Sequence, residues 1–119
     1  MARATATSER ISEIDGALLA RMVRAGTARL RAHAQEVNDL NVFPIPDGDT
    51  GSNMLLTASG GADSITDTED GIGHTARRIS DGMLLSARGN SGVILSQIFE
   101  GIAQALDGAD AADSALLIR

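Results

Sequence analysis

Two aspartates stand one residue apart in the run Asn41-Val42-Phe43-Pro44-Ile45-Pro46-Asp47-Gly48-Asp49-Thr50-Gly51-Ser52-Asn53-Met54, which also holds both prolines of the chain. Proline lacks a backbone N–H and turns the residue before it away from helix, so Pro44 and Pro46 keep the aspartates on a stiff, non-helical turn. Gly48 between them carries no side chain and can adopt positive φ. In a locally extended arrangement positions i and i+2 point the same way, so Asp47 and Asp49 can aim two carboxylates at one point. That donor set suits a hard cation such as Mg²⁺, which takes a few carboxylates and completes its shell with water and phosphate. Gly51-Ser52-Asn53 then opens a helix-compatible run, and a helix N-terminus offers N–H groups and partial positive charge to phosphate. The same residues also fit a plain Asp-Gly-Asp turn, with Asp49 as an N-cap. An EF-hand is excluded, because Gly51 and Ala58 stand where that loop needs an oxygen ligand and its closing glutamate.

A second candidate is Ser86-Ala87-Arg88-Gly89-Asn90-Ser91-Gly92-Val93-Ile94-Leu95-Ser96-Gln97. Glycines bracket Asn90 and Ser91, either of which can cap the apolar helical run that follows. The opening turn of that helix again favours an anion, and Arg88 adds a planar fork of donors suited to phosphate. The alternative is a short helix–helix connection with a glycine hinge and an ordinary cap. No Gly-Lys-Ser/Thr follows at P-loop spacing, and no strand precedes the glycines as a dinucleotide fingerprint requires.

Together the two stretches resemble the nucleotide-binding L-type domain of dihydroxyacetone kinases. The nearer similarity is to the amino-terminal kinase domain of bacterial fatty acid kinase, in register from about Ile11 to about Leu106. The resemblance implies an all-α fold, an antiparallel helical barrel of about eight helices with ATP at one end. It implies that Asp47 and Asp49 carry the catalytic role by ligating magnesium, two ions in the family. Dihydroxyacetone kinases have a further Asp five residues before the pair. Val42 fills that position here, and Asn41 is the expected substitute ligand. Gly51, Ser52, Asn53 and Met54 match the segment that wraps the phosphates and nucleotide, and Asn90, Ser91 and Gly92 match the second phosphate-contacting turn. Thr50 follows Asp-Gly-Asp, as in fatty acid kinases, where dihydroxyacetone kinases carry His or Cys. The implied activity is ATP-dependent transfer of the γ-phosphoryl group to an acceptor on a separate protein. That partner is a fatty-acid-binding protein in one branch and a dihydroxyacetone-binding subunit in the other, and a homodimer is a further possibility. The competing readings are a nucleotide- or partner-binding helical module without turnover, and a helical interaction protein whose Asp-Gly-Asp is only a turn.

Composition agrees with a single helical domain. The chain has 119 residues, of which 43% are hydrophobic, and its alanines and leucines favour helix. A net charge of −6 opposes nucleic-acid or anionic-membrane binding, and the absence of Trp and Tyr removes the usual base-stacking platforms. Zero cysteines exclude disulfides and thiolate metal sites and fit the reducing cytoplasm. No apolar run reaches transmembrane length. Residues 1–10 read as a polar, disordered leader, with the kinase-type domain over 11–119.

Apolar spacing predicts a long first helix over 8–39, with Ile11, Ile14, Leu18, Met22, Ala25, Leu30, Ala34 and Val37 on its inner stripe. Arg21, Arg24, Arg29 and Arg31 fall mostly on the outer face. Further helices are expected over 52–64, kinked or ended by Gly60-Gly61, then over 72–87 and 91–105, with a last one starting at Ala111. Residues 63–70 read as an acidic connector, and no strand pattern is evident. Met54, Leu55 and Leu56 are expected in the core. His33 and His74 are expected at the surface, and Arg77 on a solvated face. About five helices of a barrel of about eight would leave apolar residues such as Val93, Ile94, Ile98 and Ile102 short of neighbours.

Overall fold

The computed structural model of the chain describes residues 13–40, 48–66 and 71–113. The expected helical architecture is present. Helices α1 (Gly16–Leu40), α2 (Thr50–Asp63), α3 (Ile72–Ser86) and α4 (Gly89–Ala105) are framed by two short strands, β1 (Glu13–Asp15) and β2 (Ala111–Asp113). Short connections make successive helices run up and down, so the N-termini of α2 and α4 lie at the same end as the C-terminus of α1. The core gathers Leu19, Ala20, Val23, Ile65, Ile72, Ala76, Ile79, Met83, Ala103 and Leu106 between the helices.

The strands correct the sequence reading at both ends. α1 begins at Gly16 rather than near residue 8, because Asp15 is its cap: the Leu18 N–H donates to Asp15 Oδ1 at 2.8 Å. Glu13, Ile14 and Asp15 pair antiparallel with Asp113, Ala112 and Ala111. The expected last helix does not start at Ala111. That segment instead pairs with β1, and just before it the carbonyls of Asp110 and Ala109 accept the Ile72 and Gly73 N–H groups at 3.0 Å each, satisfying the first turn of α3. Residues 114–119, the leader 1–10 and Ile11 lie outside the described residues.

The inner stripe of α1 is also displaced from the expected one. Its buried residues are Gly16, Leu19, Ala20, Val23 and Thr27, whereas Met22 is 49% exposed and Ala25 is exposed. Of the expected stripe, Ile14, Leu18, Leu30, Ala34 and Val37 are half-buried. Leu56 is likewise exposed rather than in the core, and Met54 and Leu55 are half-buried.

Gly60-Gly61 does not end α2, which continues to Asp63. The pair is instead the crossing point with α3. A Cβ on Gly60 would collide with Ser86 Oγ and lie 2.9 Å from the Gly82 carbonyl, and one on Gly61 would lie 2.7 Å from Met83 Cγ. Gly82 faces back, so that a Cβ there would collide with the Gly60 carbonyl and Ser64 Oγ. The helix-propensity cost of glycine is offset by backbone contact that no larger residue permits.

α3 and α4 are joined by a polar cluster around Glu100. Its carboxylate accepts from Arg77 Nη1 at 2.7 Å, from the Ser80 hydroxyl at 2.9 Å and from Gln104 Nε2 at 3.0 Å. Arg77 is therefore only partly on the solvated face that its sequence setting implies. It is half-buried and bonded between helices. α1 and α4 do not close on each other. Between them, floored by α2 and Met83, lies an apolar groove of about 370 Å³ that reaches Met22, Leu30, Met54, Leu95, Phe99 and Ile102. On the outside of α4, Val93, Ile94 and Ile98 are exposed as anticipated, while Ile102 packs against the core.

The three-way glycine crossing predicts that Gly82→Ala destabilises the fold by about 1–3 kcal/mol, the usual cost of overpacking, measurable by urea denaturation. The Glu100 cluster predicts a pH signature. Hydrogen bonds from Gln104, Arg77 and Ser80 hold its carboxyl below the ordinary value of 4.5. Because the folded group titrates lower than the unfolded one, its contribution is full above about pH 4.5 and is lost as pH falls through the lowered folded value. Glu100→Gln should lower the melting temperature at pH 7, and the gap to the parent protein should close on acidification below that point. A gap that persists unchanged at low pH would contradict this assignment.

Candidate functional site

The two chemistry-bearing stretches, some forty residues apart in sequence, meet at one end of the bundle. The Ser91 hydroxyl points at the Thr50 carbonyl at 3.5 Å, and the Arg88 N–H donates to Thr57 Oγ1 at 3.2 Å. A Cβ on Gly89 would lie 2.5 Å from Asn53 Nδ2, so the Asn53 amide sits directly over the turn that begins α4. Gly89 also has φ +65°, a conformation that disfavours any side chain. Two helix N-termini, each a centre of partial positive charge, are thus set side by side.

Asp49 stands at the lip of this joint. It occupies the N-cap position of α2, with φ −123° and ψ 6°, yet its side chain makes no capping hydrogen bond. The capping task falls to Asn38 in the last turn of α1. Asn38 Oδ1 accepts the Ser52 N–H at 3.0 Å, and Asn38 Nδ2 donates to Ser52 Oγ at 2.9 Å. This two-point clamp ties the last turn of α1 to the first turn of α2. Gly48, with φ +66°, and Asp49 are exposed above it. Asn41 and Asp47 lie outside the described residues, and among the described residues no three His, Cys, Asp or Glu side chains converge.

The remaining candidates divide by what they touch. Asn53, Asn90 and Ser91 lie at the joint, with Asn90 exposed and Ser91 half-buried. The first turn of α4 has no side-chain cap, and by helix geometry the N–H groups of Gly89, Asn90 and Ser91 have no acceptor within the helix. Gly51 is buried against α1, where a Cβ would collide with the Ala34 carbonyl. Gly92 is buried against α2, where a Cβ would collide with Thr57 Oγ1, and its N–H is bonded to the Arg88 carbonyl at 3.1 Å. Both glycines bring helices together. Ser52 has its N–H and hydroxyl engaged by Asn38. Met54 is directed into the apolar groove, away from the joint. His33 bonds Glu36 at 3.1 Å on α1, and His74 is exposed; neither is at the site.

Asn38 and Thr57 were missed in the sequence. Asn38 lies inside the predicted first helix and carries no motif. Thr57 is a single hydroxyl in an apolar run, where spacing cannot tell whether it turns inward.

The profile of the DAK2 domain, the L-type domain of the dihydroxyacetone kinase family, matches residues 44–119. The chain belongs to the DAK2 family. It is 48% identical over 99 residues to protein YloV of Bacillus subtilis, covering 82% of this chain and 18% of that protein. An uncharacterized protein of Staphylococcus saprophyticus is 47% identical over 98 residues, with the same coverage. One from Staphylococcus aureus is 44% identical over 108 residues, or 90% of this chain and 20% of its own length. The chain therefore spans about a fifth of the length of these relatives. Among the described residues, no helix of this DAK2 domain is long and apolar enough to cross a membrane.

The clamp predicts that Asn38→Ala costs about 1 kcal/mol of stability, as loss of a helix cap does. Amide exchange should accelerate in the first turn of α2 and remain unchanged in α3, as followed by NMR or mass spectrometry.

Proposed function

We propose that this DAK2 domain is the nucleotide-binding part of an ATP-dependent phosphotransferase, and that its phosphoryl acceptor is a fatty acid presented by a separate fatty-acid-binding protein. The observation that carries the reading is the joint itself: two helix N-termini side by side with the Asp49 carboxylate at their lip. That donor set fits a metal-bound polyphosphate, with carboxylate oxygen for a hard cation and helix N-terminal N–H groups for phosphate oxygens. In this reading Asp49 ligates Mg²⁺ together with Asp47 and, as the substitute third ligand, Asn41. The ions, two by family likeness, would supply charge neutralisation on the phosphates when bound. Asn53, Asn90 and Ser91, with the opening N–H groups of α4, hold the phosphates. Gly51, Ser52 and Gly92 serve the same end indirectly by seating the two turns.

The fatty-acid branch is favoured by Thr50 after Asp-Gly-Asp and by the proline-bearing loop that precedes it. A dihydroxyacetone-binding subunit is the partner in the other branch. Phosphate transfer is then a matter of alignment and electrostatics rather than covalent catalysis.

Calorimetry with Mg·ADP, coupled to a turnover assay with an acyl-chain-loaded binding protein, tests the proposal. Asp47→Asn and Asp49→Asn should each weaken Mg·ADP affinity by at least about tenfold, the scale of one lost charge-assisted contact, with helix content preserved. Equal affinity in the parent protein and both variants would overturn the metal assignment. Binding without turnover would point to a nucleotide-binding module, and turnover only with a dihydroxyacetone-loaded subunit would move the protein to the other branch.

A further inference from the structure

Thr57 bonds both halves of the joint. It is fully buried. Its hydroxyl donates to the Asn53 carbonyl at 2.9 Å, one turn back on α2. Its oxygen accepts the Arg88 N–H at 3.2 Å, at the N-cap position of α4. It also fills the space beside Gly92, where a Cβ would collide with Oγ1. The hydroxyl thus stands between the Asn53 segment and the 88–91 turn, and it touches α4 on two successive turns. Valine has the same shape but no hydroxyl. It would leave the Arg88 backbone N–H without its Thr57 acceptor and remove the link between the turns.

We propose that Thr57 is a positioning residue for nucleotide binding: its hydroxyl sets the separation and rotation of the α4 N-terminal turn relative to Asn53 and Asp49, so that both turns engage one polyphosphate. This deepens the nucleotide-binding reading above and rests on it. Thr57 itself lies beneath the surface and contacts no ligand. Its effect passes through the Arg88 backbone and the Asn53 carbonyl.

The test compares Thr57→Val and Thr57→Ser with the parent protein. Ile79→Val serves as a control that loosens the core at a fully buried position away from the joint. Amide exchange at residues 88–92 is measured without nucleotide, and Mg·ADP affinity is measured by calorimetry. Thr57→Val should speed exchange at the Arg88 amide and weaken Mg·ADP binding about tenfold. Thr57→Ser, which keeps the hydroxyl, should restore both to within about twofold. Ile79→Val should lower the melting temperature without moving either. Affinity retained in Thr57→Val, or lost equally in Ile79→Val, overturns the positioning role. If the parent protein itself fails to bind Mg·ADP, the nucleotide reading falls and the nucleotide-positioning role with it. The exchange data then separately decide whether the hydroxyl holds the turn: faster exchange in Thr57→Val alone supports that contact, and unchanged exchange overturns it.

Discussion

Helix α2 can lie against three neighbours at once only because it carries a small residue at each crossing. Gly51 meets the backbone of α1 at Ala34, Gly60 and Gly61 meet α3 at Gly82, Met83 and Ser86, and Thr57 meets α4 at Gly92. Each contact brings backbone or near-backbone atoms together, where a larger side chain would force the helices apart. The placement of both candidate binding turns follows from this. α2 itself begins at the first, and its contact with α4 fixes the second. A residue poor in helix propensity is thus stabilising in context, because tertiary packing outweighs the local preference.

Polar groups inside this packing are satisfied locally or by pairing between helices. Thr27 and Thr75 donate their buried hydroxyls to carbonyls one turn back, at 2.8 Å and 3.1 Å. Thr57 does the same and in addition accepts from α4. Among the described residues no buried side-chain nitrogen or oxygen lacks a hydrogen-bond partner. The Glu100 cluster ties α3 to α4 near the middle of α4, while Thr57 ties α2 to its start. α4 is therefore held at two levels on its inner side, and its outer side carries exposed Val93, Ile94 and Ile98.

The opposite end of the bundle is closed by different means. β1 and β2 pair the start of α1 with the segment after α4, and carbonyls from residues 109–110 complete the first turn of α3. The division of labour is physical. One end spends its backbone polar groups on internal closure. The other leaves the opening turn of α4 without a side-chain cap and sets Asp49 exposed at the rim.

The sequence by itself determined the helical class, the approximate spans of α2, α3 and α4, and the two stretches that meet at the joint. Those features are written in local signals: apolar periodicity, prolines, glycine-bracketed caps and a motif long enough to place the chain in its family. It did not reveal that Gly51 and Gly92 serve helix contacts, that Asn38 caps α2, that Arg77 reaches Glu100, or that residues 111–113 pair with 13–15. Nor did periodicity settle which face of α1 turns inward, since Gly16, Ala20 and Thr27 are buried there beside Leu19 and Val23. Each of these depends on what stands across an interface tens of residues away in the chain. Only the tertiary structure decides that, because a side chain's role is set by its partner as much as by its own type.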